Sequence, residues 1–130
     1  MTINLRILSL LIFTAALLWH TNSFAADMGV SAMQQMATIM HRLKHYPSPQ
    51  GKEELKAIID NKSTTANERT LATAMMNLEH MVNPGDKPKL QAIIDSSDAT
   101  GNEKSLATII LNLNHRPTAK DKQILQEMMK

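Results

Sequence analysis

The chain of 130 residues contains no cysteine, 10 methionines and one tryptophan, and its formal net charge is +2 at pH 7. Disulfide frameworks and cysteine nucleophiles are therefore excluded. Its lysines and arginines are scattered among carboxylates, and aromatic side chains make up 3% of the chain. A nucleic-acid-binding surface needs a basic stripe or stacking aromatics, so nucleic acid is not an expected partner. A core of Leu, Ile, Ala and Met is expected.

The N-terminal residues have the pattern of an export signal. Arg6 precedes an apolar run from Ile7 to Trp19, and the small residues Ser23 and Ala25 stand at the positions before a cleavage site. We predict a signal peptide over residues 1–25 and a single helical domain over residues 26–130, located in the periplasm or secreted. The apolar run is shorter than the roughly 20 residues that a membrane-spanning helix needs. No membrane insertion is expected after processing, and a retained anchor is the alternative.

An internal repeat is the main feature of the rest of the chain. Residues 67–80 read NERTLATAMMNLEH, and residues 102–115 read NEKSLATIILNLNH, at an offset of 35 residues. A more diverged copy, MATIMHRLKH, occupies residues 36–45. Repeats of this length are structural units that bury their apolar faces against their neighbours. The predicted units are about 31–65, 66–100 and 101–130.

Six helices are expected, and each has a recognisable start. Capping boxes or similar N-terminal pairs occur at Ser31 with Gln34, Thr65 with Glu68, Thr100 with Glu103, and Thr118 with Asp121. Ser48 followed by Pro49 marks the second helix, and Asp86 marks the fourth. Apolar residues recur at spacings of three and four in every segment. We expect long helices, such as residues 32–46 and 66–82, to alternate with shorter ones.

These elements predict an all-α fold of three αα-hairpin repeats of 35 residues, either as a short solenoid or as a compact helical bundle. The period and the helix pairing resemble those of tetratricopeptide repeats, whose period is about 34 residues. The resemblance covers these two properties only, because the aromatic and glycine positions of that family's motif are absent here. No binding residue is carried over from it.

One candidate binding surface is a set of polar residues that recurs along the repeat. On a helical wheel, Thr73, Asn77 and His80 fall within about 60° of one another, away from the apolar stripe. The corresponding residues are Thr108, Asn112 and His115 in the last unit, and Thr38, Arg42 and His45 in the first. Such a polar ladder could bind a protein or peptide partner. Alternatively, the histidines could complement the helix dipoles and bond to the terminal carbonyls.

A candidate metal site lies in the first unit. His41 and His45 are four residues apart, a spacing that lets two imidazoles on one helix share an ion, and Met40 could add a thioether that suits Cu(I). A site made from His45, His80 and His115 together is not expected. Two ligands of one ion lie within roughly 4 Å of each other, whereas packed helix axes are about 8–10 Å apart.

Enzyme activity is not expected, because Glu68 and Glu103 are explained as capping residues and no nucleophile motif is present. No cofactor is expected either. The favoured hypothesis is an exported interaction module that binds an unidentified protein or peptide as an inhibitor, chaperone or accessory subunit. A periplasmic copper or zinc protein is the first alternative. A histidine-based pH sensor is the second, because imidazole changes its charge near neutral pH.

Overall fold

The computed structural model describes residues 30–130, and this part of the chain folds into six α-helices without a β-strand. The helices are α1 (Ala32–Arg42), α2 (Pro49–Asp60), α3 (Ala66–Met76), α4 (Lys87–Asp95), α5 (Gly101–Leu111) and α6 (Ala119–Met128). The predicted all-α fold with six helices is confirmed. None of these helices combines the length and apolar character that crossing a membrane requires. The predicted signal peptide lies outside the described residues.

The helices begin where the sequence predicts, and at every helix except α4 the side chain of the N-cap residue accepts a backbone hydrogen bond. At α1, the Ser31 hydroxyl accepts from the Gln34 backbone N–H at 3.2 Å, and the Gln34 side chain accepts from the Ser31 N–H at 2.8 Å. The same reciprocal pair opens α3, α5 and α6. At α2, Ser48 accepts from the Gly51 N–H. These bonds satisfy donors that lack a partner within the first helical turn.

The predicted helix ends are wrong for the first and third helices. α1 ends at Arg42 instead of residue 46, and α3 ends at Met76 instead of residue 82. Long and short helices therefore do not alternate, since α1 has 11 residues and α2 has 12. Leu78 and Val82 are buried, as the apolar stripe predicts, but both residues lie in the segment that follows α3 and not in the helix. Burial of the expected side chains thus did not require the helix to continue.

The helices pack into a closed arrangement. The most extensive contacts pair α2 with α3, α4 with α5, and α1 with α6, while α1, α3 and α5 also contact one another in the centre. Because α1 packs on α6, the described helices form a compact bundle and not an open solenoid. The central helices supply six of the eleven largest fully buried side chains of the described core, namely Met36, Met40, Leu71, Met75, Leu106 and Ile110.

The central helices α3 and α5 run in the same direction, so their N-termini lie at one end of the bundle. The buried Glu103 carboxylate caps the start of α5 and also accepts from the Thr65 hydroxyl at 3.3 Å and from the Asn67 amide at 3.4 Å, both at the start of α3. The N-termini of α3 and α5 are therefore neighbours, and the residues that follow their C-termini meet at the opposite end of the bundle.

Candidate metal centre

Three short segments follow the central helices, and each presents one histidine at the surface. We call residues 43–47, 78–82 and 113–117 the histidine turns. In each, a leucine two residues before the histidine and a proline or valine two residues after it are buried, whereas the histidine is exposed; the buried residues are Leu43, Pro47, Leu78, Val82, Leu113 and Pro117. These anchors hold both sides of the turn against the core and leave the imidazole at its outer edge.

Backbone hydrogen bonds join the three histidines in series. The N–H of His80 donates to the carbonyl of His45 at 2.8 Å, and the N–H of His115 donates to the carbonyl of His80 at 2.7 Å. His80 and His115 have φ angles of 67° and 63°, the only positive values among the non-glycine residues of 30–130. This left-handed region is uncommon for residues other than glycine, although asparagine, aspartate and histidine are enriched in it. The bonds hold each turn at a fixed distance from the next.

The three imidazoles consequently lie against one another. Ring centroids are 5.0 Å apart for His45 and His80, 5.0 Å for His80 and His115, and 5.5 Å for His45 and His115. The Nδ1 atoms of His80 and His115 are 3.1 Å apart. One ring nitrogen from each histidine lies within 4.8 Å of the other two. Within residues 30–130, no other group of three His, Asp or Glu side chains has this geometry.

A metal ion sets the distance between the nitrogens that bind it. Zinc–nitrogen bonds of about 2.0–2.1 Å in a tetrahedral site place two ligand nitrogens about 3.3 Å apart. The Nδ1 atoms of His80 and His115, 3.1 Å apart, are near that separation, whereas the three ligand nitrogens together lie within 4.8 Å of one another, so the cluster would have to contract around an ion. Neutral imidazole is a ligand for zinc, copper and nickel. The three histidines could therefore hold one such ion together.

The expectation that His45, His80 and His115 do not meet is wrong. That expectation placed all three residues on packed helices, whose axes are too far apart for a shared ion. The helices end at Arg42, Met76 and Leu111, and the chain beyond them converges. The missed signal was the pattern Leu-x-His followed two residues later by Pro or Val, which recurs in all three units. Its alternating burial indicates a non-helical segment with an outward histidine.

The other residues of the polar ladder do not join the histidines. The three threonines donate to carbonyls of their own helices: Thr38 to Gln34, Thr73 to Arg69 and Thr108 to Lys104. Asn77 follows α3 and donates to the buried Asp86 at 2.9 Å, whereas Asn112 donates back to the Thr108 carbonyl. Arg42 is exposed at the end of α1. The helical wheel placed His80 and His115 on the same helical face as the threonines and asparagines. This placement was wrong, because both histidines lie beyond the ends of α3 and α5.

The structure also separates the members of the predicted site at His41, His45 and Met40. His41 is half-buried within α1, and Met40 is completely buried in the core. His45 lies three residues beyond the end of α1, so the assumption that both histidines share a helical face is wrong. Of these three residues, the structure places only His45 in the histidine cluster.

The surroundings of the cluster are mixed in character. In the chain, the positively charged Lys44 and Arg116 are next to His45 and His115, and the negatively charged Glu79 is next to His80. Tyr46 and Met81, which follow His45 and His80, are 62% and 59% exposed. Two open depressions of about 490 and 500 Å³ border the turn at His80, the first lined in part by Tyr46 and the second by Met81.

Comparison with known proteins gave no relative from which to infer a function: no family model, no curated protein and no solved structure matches the chain.

Proposed function

We propose that the protein binds one transition metal ion, zinc or copper, through the imidazoles of His45, His80 and His115. The observation that carries this proposal is the approach of one nitrogen from each histidine to within 4.8 Å of the other two. Three imidazoles are a ligand set found in zinc sites, and thiolates are not required.

The backbone supports the same proposal. His80 and His115 adopt the left-handed conformation, which is unfavourable for a residue with a Cβ atom. Unfavourable backbone conformations persist where the surrounding structure enforces them, and they are concentrated at functional sites. The two backbone hydrogen bonds between the turns hold the ligands in position before any ion arrives. Less free energy is then needed to order the side chains on binding.

We infer that the 35-residue repeat is the unit from which the site is built. Each unit contributes one central helix and one histidine turn, so the ion would be held equally by the first, middle and last parts of the domain. Every unit supplies a single ligand. Loss of any one histidine is therefore expected to damage the site to a similar extent.

We also propose that this metal-handling domain works outside the cytoplasm, in the periplasm or after secretion, once residues 1–25 have been removed. The charged start, the apolar run and Ala25 support this location. N-terminal sequencing of the exported protein is expected to begin at Ala26. Recovery of the uncleaved chain in the membrane fraction would contradict the proposal.

Protein or peptide binding at the same face is the second candidate function. It is supported by the exposure of Tyr46 and Met81 beside the histidines, since large apolar side chains at a surface favour association. A histidine-based pH response would depend on the same nitrogens, because protons and metal ions compete for them. Capture of an envelope protein by the wild type, lost in Tyr46→Ser with Met81→Ser although the fold is intact, would support this second function.

Calorimetric titration of the protein with Zn²⁺, Cu²⁺ and Cu⁺ tests the metal proposal. We expect one ion per chain, and His80→Asn should weaken binding by more than the roughly 10- to 100-fold that loss of an outer-shell partner causes. His41→Asn is the matched control, because His41 lies on α1 outside the cluster. Equal affinity in wild type and His80→Asn would exclude this site, and loss of binding only in His41→Asn would favour the site on α1.

A further inference from the structure

The number of ligands in the cluster leaves a metal ion incompletely coordinated. Among residues 30–130, the group that can surround an ion consists of three histidines and includes no carboxylate. Zinc and cobalt in nitrogen-rich protein sites usually take four ligands, and sites with three protein ligands keep the fourth position for water or an exogenous ligand. An ion held by His45, His80 and His115 would therefore retain one position that this part of the chain does not fill.

The position of the cluster on the protein determines what can reach the fourth coordination position of the ion. All three histidines are exposed, and each lies at the outer edge of a turn whose flanking residues are buried. An ion bound by the three exposed imidazoles would lie at the protein surface, where a small molecule from solvent can reach it.

Charge favours a negative ligand at this position. Imidazole binds a metal as a neutral ligand, so a divalent ion in this site keeps its full charge. That charge attracts an anion to the open position.

We propose that the three-histidine centre, once it holds a metal ion, binds a small monodentate anion from solution as the fourth ligand. The complex consists of one chain, one ion and one anion, and the anion exchanges with water at the open position. This inference rests on the proposed function, because the anion is bound by the ion and not by the protein alone.

Visible absorption spectroscopy of the full chain loaded with Co²⁺ tests the inference, with azide as the probe. Cobalt occupies nitrogen-rich zinc sites, and its visible bands report the number and kind of ligands. We expect azide to shift these bands in a saturable manner, with one azide bound per cobalt. His41→Asn, whose histidine is outside the cluster, should give the same titration as the wild type.

Two results would overturn this inference while the proposed function survives. In the first, azide leaves the spectrum of the fully loaded protein unchanged, which would mean that the fourth position is closed. In the second, cobalt binds at one ion per two chains in sedimentation experiments, which would mean that a second copy supplies the fourth ligand. If cobalt, zinc and copper all fail to bind at His45, His80 and His115, both the proposed function and the inference are wrong.

Discussion

His80 and His115 occupy a region of backbone space that costs an L-residue with a Cβ atom roughly 1–2 kcal/mol relative to the right-handed region. Asparagine tolerates this conformation better than most residues, and β-branched residues tolerate it least. His45 has no positive φ angle. The backbone conformation at two of the three positions therefore restricts which substitutions the turn accepts, independently of metal binding.

The first prediction concerns the stability of the metal-free protein. His80→Asn should leave the free energy of unfolding within about 0.5 kcal/mol of wild type or raise it, whereas His80→Val should lower it by roughly 1–2 kcal/mol. Urea melts in the presence of a chelator measure both values. His45→Asn and His45→Val are the controls and should differ little from each other. Equal stability of the two variants at position 80 would contradict the importance of the backbone conformation there.

The second prediction separates the two asparagines of the polar ladder. Asn77 donates to the carboxylate of Asp86, which is 4% exposed and also bonds to Lys89. Removal of a donor to a buried charged group should cost roughly 1–3 kcal/mol in Asn77→Ala. Asn112→Ala should cost less, because its amide bonds to a carbonyl of its own helix in an exposed setting. Thermal melts that rank Asn112→Ala as the less stable variant would contradict this assignment.

At the scale of the element, each histidine turn depends on its buried anchors. Leu78 follows α3, is 1% exposed and belongs to the core, while the next residue, Glu79, is exposed. The turn can hold an imidazole outward only if the residues on either side remain packed. An anchor therefore contributes to both the stability of the domain and the geometry of the site.

The third prediction is that Leu78→Ala lowers the free energy of unfolding by roughly 2–5 kcal/mol, the usual range for a buried leucine. It should also weaken metal binding, because the turn around His80 loses its anchor. Glu79→Ala is the neighbouring control and should stay within about 0.5 kcal/mol of wild type. Urea melts and metal titrations of the two variants check both effects. A Leu78→Ala protein as stable as wild type would contradict the burial of the turn.

At the scale of the whole molecule, the cluster joins distant parts of a chain that has no disulfide. His45, His80 and His115 follow the three central helices, so an ion bound to all of them would link the ends of α1, α3 and α5. A ligand that binds only the folded state stabilises it, and the gain is about 2.7 kcal/mol at a free concentration 100 times Kd.

The fourth prediction is that Zn²⁺ at a free concentration 100 times Kd raises Tm by roughly 10–20 °C, since about 1 kcal/mol shifts the Tm of a domain near this size by about 4–8 °C. Differential scanning calorimetry with and without zinc measures this effect. His80→Asn is the control and should show little shift. An equal zinc-induced shift in wild type and His80→Asn would place the stabilising ion elsewhere.

The sequence by itself determined the all-α class, the six helix starts and most of the core. These features depend on neighbouring residues: Ser31 with Gln34 or Thr100 with Glu103 satisfies backbone donors within one turn, and apolar spacings of three and four define a buried face. Even Leu78 and Val82, assigned to the wrong kind of element, were correctly expected to be buried.

Only the tertiary structure decided where the central helices end and which polar residues meet. Their ends depend on hydrogen bonds between His45, His80 and His115, partners 35 residues apart, and on the packing of the turns against the core. The spacing of apolar residues does not show which residues 35 positions apart will meet, and a helical wheel, which assumes that the helix continues, extended the helices too far. The wheel therefore placed the three histidines on helices, and the axes of packed helices are too far apart for their side chains to share one ion. In the structure, the histidine turns beyond those helices bring the imidazoles together.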